Sequence, residues 1–151
     1  PVAIRYPRGG DEFKIKPIDK IVQGKWEIVD NGQKTAIIAS GRMLIKAYLK
    51  KKEYKLHSMI INACFLKPID DKMLEFLSKK HYNILIIEDN VLNGGLTSMV
   101  SSKLMELNYK GKVMSLGFND KFIEQGTPEE LYKKENITKE EIRKKITILE
   151  K

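Results

Sequence analysis

The sequence predicts a three-layer α/β/α sandwich on a mostly parallel sheet of about five strands, one of them antiparallel, and three observations predict it. Short apolar runs alternate along the chain with segments whose apolar residues recur at helical spacing, an order that favours parallel strands joined by right-handed crossovers. The run Tyr82-Asn83-Ile84-Leu85-Ile86-Ile87-Glu88 is apolar almost throughout, as a central strand covered on both faces must be. Near the start, Asn31-Gly32 separates two strand-like runs, which is a hairpin signal and places one antiparallel strand at or near an edge.

Taken in order, residues 1 to about 20 hold three prolines and a Gly-Gly pair with little periodicity, and read as a strand end followed by a connector. Lys25 to Asp30 alternates as a strand, and Thr35 to Ser40 is its expected hairpin partner. Met43, Leu44, Ala47 and Tyr48 then follow a helical period that ends in Lys50-Lys51-Lys52, a run suited to the negative end of a helix dipole. His57 to Phe65 is a second buried strand, and Asp70 is placed to cap a helix carrying Met73, Leu74, Phe76 and Leu77. Asn93-Gly94-Gly95 leads from the central strand into a helix with Met99, Val100 and Leu104. Val113 to Gly117 is the last strand, and the tail holds one helix from Pro128 and another from Thr138, where Thr138 and Glu141 have capping-box spacing.

With 151 residues, 42% of them hydrophobic and 32% charged, the chain suits one folded domain with a sizeable core. No apolar run approaches the roughly 18 residues of a membrane span, and Pro1-Val2-Ala3-Ile4-Arg5 has no signal-peptide layout, so a cytoplasmic protein without membrane contact is expected. The first residues read as a cut from a longer chain. The single cysteine, Cys64, excludes an internal disulfide and multi-cysteine zinc sites. The formal charge of +8 raises the question of nucleic acid. The lysines are interspersed with glutamates, as in Lys139-Glu140-Glu141-Ile142-Arg143-Lys144-Lys145, without interleaved stacking aromatics, so a solvated lysine-rich surface and no nucleic-acid partner are expected.

The carboxyl ends of the strands, where open α/β sheets gather their chemistry, carry Ser40-Gly41-Arg42, Leu66-Lys67-Pro68, Glu88-Asp89-Asn90 and Gly117-Phe118-Asn119-Asp120. This crest has no nucleophile and base pair and no metal-ligand spacing, so neither catalytic nor metal residues are assigned. Gly94-Gly95 suits either a phosphate cradle or a close helix–strand approach, and the second reading is preferred. Glu88 and Asp89, adjacent at a strand end, point opposite ways and read as caps or contacts. His57 and His81 have no ligand cluster beside them, and Cys64 reads as a small hydrophobe in a strand. Ile4-Arg5-Tyr6-Pro7-Arg8-Gly9-Gly10 differs by joining a rigid residue, a planar cation and two unhindered backbone positions. Arg8 there either grips a phosphate bidentately or is solvated.

Tyr6-Pro7-Arg8-Gly9, Gly24-Lys25-Trp26, Asn62-Ala63-Cys64-Phe65-Leu66-Lys67-Pro68-Ile69-Asp70, Glu88-Asp89-Asn90-Val91-Leu92-Asn93-Gly94-Gly95 and Leu116-Gly117-Phe118-Asn119-Asp120-Lys121-Phe122-Ile123-Glu124-Gln125-Gly126 occur in this order. Together they resemble the carboxy-terminal part of the 1-deoxy-D-xylulose-5-phosphate synthases, over nearly the whole chain. The resemblance implies that residues 1–21 are the end of a pyrimidine-binding domain with its linker, and that residues 22–151 are a transketolase-type C-terminal domain. It implies a cytoplasmic homodimeric transferase that condenses pyruvate with D-glyceraldehyde 3-phosphate, losing carbon dioxide, on thiamine diphosphate and Mg2+. The product would serve isoprenoid, thiamine and pyridoxal biosynthesis. In this family the cofactor and metal are held by the amino-terminal and middle domains, so these residues alone are expected to bind neither and to be inactive, and to serve assembly. Arg8 falls on the family's arginine that holds the phosphate of glyceraldehyde 3-phosphate.

The chain departs from common members at Arg42, where a small polar residue is usual, and at Phe118-Asn119, where Leu-Pro is typical, which affects turns and not Arg8. Two alternatives are another thiamine-diphosphate enzyme with the same domain, such as a transketolase or a 2-oxoacid dehydrogenase subunit, and a non-enzymatic flavodoxin-like docking module.

Overall fold

The computed structural model describes residues 1–4, 20–80 and 82–151, so Arg8, the rest of its motif and His81 lie outside the described residues. Among the described residues, two strands, then alternating helices and strands, and a closing pair of helices follow in order: β1 (Glu27–Asp30), β2 (Thr35–Ala39), α1 (Gly41–Tyr54), β3 (Met59–Asn62), α2 (Asp71–Lys79), β4 (Asn83–Val91), α3 (Leu96–Glu106), β5 (Val113–Phe118), α4 (Pro128–Lys134) and α5 (Lys139–Glu150). The strands form one sheet in the order β1-β3-β2-β4-β5. β2 pairs in parallel with β3 and β4, and β4 with β5, while β1 runs antiparallel to β3 at the edge.

The two-residue period of the strands divides the core between two faces. Ile37, Ala39, Ile60, Leu85 and Ile87 meet Met43, Leu44 and Ala47 of α1 and Ile142, Ile146 and Leu149 of α5 on one side. Ala36, Ile38, Met59, Ile61, Ile84 and Ile86 meet Leu74 and Leu77 of α2 and Leu96, Val100 and Leu104 of α3 on the other. Residues 84–87 are wholly buried, which is why that run contains no polar alternation. The three-layer sandwich with one antiparallel strand is therefore the observed architecture.

The expected pairing of β1 with β2 is not observed, because β3 lies between them. The Asn31-Gly32 segment makes no tight hairpin; it crosses beneath the start of β3. The Gln33 N–H donates to the His57 carbonyl at 2.6 Å, and the Tyr82 hydroxyl donates to the Gly32 carbonyl at 2.9 Å. A Cβ at Gly32 would overlap the backbone of Ser58 and Met59, so the glycine is required by a crossing and not by a turn. Asp30 is then tied to the last turn of α1, 3.1 Å from Lys51 Nζ and 3.2 Å from Lys52 Nζ. Consequently the lysine run is not uniformly solvated: Lys50 and Lys51 are buried, Lys50 against Glu53 and the Tyr54 ring, and Lys51 against Asp30 and the Asn31 carbonyl.

The other end of β1 is held by Asp70, which is 4% exposed. Its carboxylate accepts from the Met73 N–H at 3.1 Å, capping α2 as expected, and also from the Trp26 N–H at 2.9 Å and Lys25 Nζ at 3.2 Å. The Trp26 indole N–H donates to the Phe65 carbonyl at 2.8 Å, closing the same loop. Thr138 accepts from the Glu141 N–H as expected, but Glu141 turns to Lys144 and Lys145. The complete capping box is one helix earlier, where Thr127 and Glu130 satisfy each other's backbone N–H.

Burial raises the Asp70 pKa, but the hydrogen bonds from Trp26, Met73 and Lys25 together hold it below the ordinary carboxylate range. A depressed folded-state pKa contributes stability that is fully present above about pH 4 and is lost as pH falls through the folded value. Asp70→Ala strands the Trp26 N–H and uncaps α2, so it should cost about 2–4 kcal/mol in urea denaturation at pH 7. The difference from wild type should shrink on acidification below pH 4, and a difference that does not change with pH would contradict this role.

Candidate functional site

Glu88 lies in β4 near the carboxyl end of the sheet and is 2% exposed. Its Oε2 accepts from the Leu96 N–H at 2.8 Å and its Oε1 from the Thr97 N–H at 2.9 Å. A helix start has N–H groups without intrahelical partners, and Gly95 at the N-cap position of α3 has no side chain to serve them. The strand carboxylate takes over that task. The Gly94 N–H donates to Ser98 Oγ at 2.9 Å, and the Ser98 hydroxyl donates to the Leu92 carbonyl at 2.8 Å. The Gly94, Leu96 and Thr97 N–H groups, on which a phosphate cradle would draw, are thus occupied by the chain itself. A Cβ at Gly95 would overlap Glu88 Oε2 and lie 2.5 Å from the Val91 carbonyl, whereas Gly94 supplies a left-handed φ of 75°. Close approach explains Gly95, and the left-handed backbone conformation explains Gly94, where a Cβ would meet nothing.

Asp89 points away from Glu88, toward the helices of the opposite face. Burial, and next the Asp89 carboxylate, push the Tyr132 phenol well above its usual range. Lys46 Nζ sits 3.4 Å from the centroid of the Tyr132 ring, an arrangement in which the ring face attracts the cation. Burial depresses the Lys46 pKa, although Glu129 and Asp89 oppose the shift. A cavity of about 290 Å3 opens beside this pair, lined by Lys46, Tyr132, Lys133, Lys139 and the carboxylates Glu129 and Glu140. Its mixed charges largely compensate one another.

At the β1 edge, a cavity of about 410 Å3 is lined by Ile21, Val22, Trp26, Ile28, Cys64 and Met73 together with the charged Lys20, Lys25 and Glu27. Cys64 is exposed, contrary to its reading as a packed strand residue, because β3 ends at Asn62. Its S–H donates to the Lys25 carbonyl at 3.1 Å, and local desolvation raises the thiol pKa, which disfavours the reactive thiolate. His57 is exposed, with its carbonyl engaged by Gln33. Among the described residues no three His, Cys, Asp or Glu side chains converge as a metal site, and no helix is long and apolar enough to cross a membrane. The crest therefore offers rigid, self-satisfied turns and no reacting pair. The sequence reading missed both the Asp70–Trp26 bond, which no local pattern reports, and the Thr127–Glu130 capping box, which its three-residue spacing would have signalled.

A family model for the transketolase C-terminal domain matches residues 24–142. The 1-deoxy-D-xylulose-5-phosphate synthase of Clostridium beijerinckii is 50% identical over 148 residues, which cover 95% of this chain and 24% of the relative. The protein of the same name from Clostridium perfringens is 47% identical over 148 residues, and that from Clostridium tetani 40% over 149. The chain thus spans about a quarter of the length of the curated relatives it matches. Among solved structures, a split-gene transketolase described as an inactive β4 tetramer superposes with a TM-score of 0.81 at 25% identity, over 91% of this chain and 46% of that one.

Glu88→Ala should leave two helix N–H groups without partners and cost about 2–4 kcal/mol, while Glu88→Gln, which keeps one good acceptor, should cost roughly half as much. Gly95→Ala should destabilise by at least about 1–3 kcal/mol, since its methyl group must displace either the carboxylate or the Val91 carbonyl. Urea denaturation midpoints measure all three, and a Gly95→Ala variant as stable as wild type would refute the close-approach explanation.

Proposed function

Since the chain belongs to the transketolase C-terminal domain family, we propose that it is the carboxy-terminal portion of a 1-deoxy-D-xylulose-5-phosphate synthase. The observation that carries this reading is the 50% identity over 148 residues to a relative of that name, against 25% to the transketolase neighbour of the same fold. In this reading residues 22–151 form the transketolase-type domain, and residues 1–21 belong to the preceding domain and its linker. The whole enzyme joins the two-carbon unit left by decarboxylation of pyruvate to the aldehyde of D-glyceraldehyde 3-phosphate.

Thiamine diphosphate with Mg2+ would supply the carbanion chemistry of that reaction. The described residues do not fit this group: they bring no carboxylate cluster together for the metal, and the Leu96 and Thr97 N–H groups at the start of α3 are already taken by Glu88. In this reading the cofactor belongs to the upstream portion of the enzyme, which acts as a homodimer. What these residues contribute is a rigid domain for assembly and, through Arg8, a fork of N–H donors for the substrate phosphate.

In the complete enzyme, Arg8→Ala should reduce kcat/KM for glyceraldehyde 3-phosphate at least about tenfold, because charge-assisted hydrogen bonds to the phosphate are lost. Pyruvate addition should change much less, and Arg8→Lys should recover only part of the loss, since an ammonium lacks the planar fork. Steady-state kinetics varying each substrate in turn separates these cases, and equal losses for both substrates would remove Arg8 from the phosphate site. Calorimetry with the 151-residue chain should detect no tight, magnesium-dependent binding of thiamine diphosphate.

A further inference from the structure

The antiparallel direction of β1 decides at which end of the domain the preceding polypeptide arrives. Glu27 is registered against Asn62, the last residue of β3, so Lys25 and Trp26 lie at the carboxyl ends of the parallel strands. β5 leaves the sheet at this same end through Phe118, and the connection that follows carries Phe122. Phe122 is 104% exposed, while its neighbour Ile123 is partly buried. A phenyl ring held entirely in water is the least favourable arrangement for that side chain.

The connection that presents the ring is braced on both sides. Lys121 Nζ lies 2.9 Å from Glu135 Oε1, whose side chain is 5% exposed, and Lys134 Nζ lies 2.6 Å from Glu124 Oε2. The Lys121 N–H also donates to the Asn119 carbonyl at 2.9 Å. Both ion pairs reach the last turn of α4 and the residue beyond it, so the backbone on each side of Phe122 is tied to one helix end. An aromatic ring projected from a pre-ordered segment loses little freedom when it is buried against a partner, and rings of this kind dominate interface energetics.

We propose that Phe122 is the anchor by which this domain docks on the upstream portion of its own polypeptide. The proposal rests on the functional reading above, which supplies that upstream portion: the matched relatives are about four times as long as the aligned segment. The described chain enters the domain through Lys20 to Trp26 at the carboxyl ends of the parallel strands on the β1 side, and Phe122 follows the carboxyl end of β5, so both lie at the same end of the sheet. Four strand spacings separate the two edges, about 19 Å, and a folded domain about 30 Å across covers both. The cavity at the β1 edge opens where the described chain enters the domain, with Ile21 70% and Val22 45% exposed.

The test uses the full-length protein with Phe122→Asp, Phe122→Leu and, as a control on α3, Met105→Asp, where the native side chain is also 79% exposed. Hydrogen exchange at amides 119–124 is the readout. Phe122→Asp should accelerate exchange there at least about tenfold, Phe122→Leu much less, and Met105→Asp not at all. Exchange unchanged by Phe122→Asp would overturn the proposal. So would sedimentation showing that the 151-residue chain forms a dimer that Phe122→Asp abolishes, because the occupant is then a second copy. Synthase activity of the wild-type protein is read separately: an exchange effect without that activity overturns the functional reading alone, and activity without an exchange effect overturns the docking alone.

Discussion

The Asp70 carboxylate is the interaction on which the arrangement of this domain depends. One buried group receives the N–H that opens β1, the N–H that opens α2 and the ammonium of Lys25. In a low-dielectric surrounding such a group is tolerated only when its acceptor capacity is filled, so the three donors and the carboxylate hold one another in place. The bond to Trp26 sets β1 on the outer side of β3, and the crossing under Ser58 and Met59 then delivers β2 to the inner side. An edge strand exposes unpaired backbone groups. Here that strand is short, bulged near Asp30 and tied to α1 at its far end.

Glu88 does for the start of α3 what Asp70 does for the edge and the start of α2. Both are buried carboxylates whose oxygens accept backbone N–H groups at a helix start, and both lie at the carboxyl end of the parallel strands. The positive end of the helix dipole favours a negative charge in that position. In many α/β proteins the same donors would be left for a ligand; in this domain they are spent on internal connections. That use of the crest suits a domain that supports another part of an enzyme.

Much of this was legible in the sequence, and the residues show why. Ile84 to Ile87 could be assigned as a central strand because burial on both faces removes polar alternation, and Asp70 as a cap because its partner Met73 is three residues away. The pairing of β1 was misread because Asn31-Gly32 is a local turn signal, whereas the determinants of the observed crossing, His57, Tyr82 and Asp70, are 24 or more residues distant in sequence. Cys64 was misread because an apolar run does not mark where hydrogen bonding to a neighbouring strand stops. The exposure of Phe122 could not be read either, since a phenylalanine in a connection is by default a buried one. Arg8 rests on its motif and on the resemblance that motif carries.

Residues 24–142 match the transketolase C-terminal domain family, and the buried carboxylates of this domain shape the crest and leave no reacting pair among the described residues. In the proposed function this domain completes a synthase whose chemistry is performed by residues upstream. The most direct measurement is product analysis on a full-length polypeptide that contains this sequence, supplied with pyruvate, D-glyceraldehyde 3-phosphate, thiamine diphosphate and Mg2+. The account predicts 1-deoxy-D-xylulose 5-phosphate and carbon dioxide in equal amounts, with no product when any one of these components is omitted. Ketol transfer between sugar phosphates without release of carbon dioxide, or no reaction by the folded polypeptide, would contradict it.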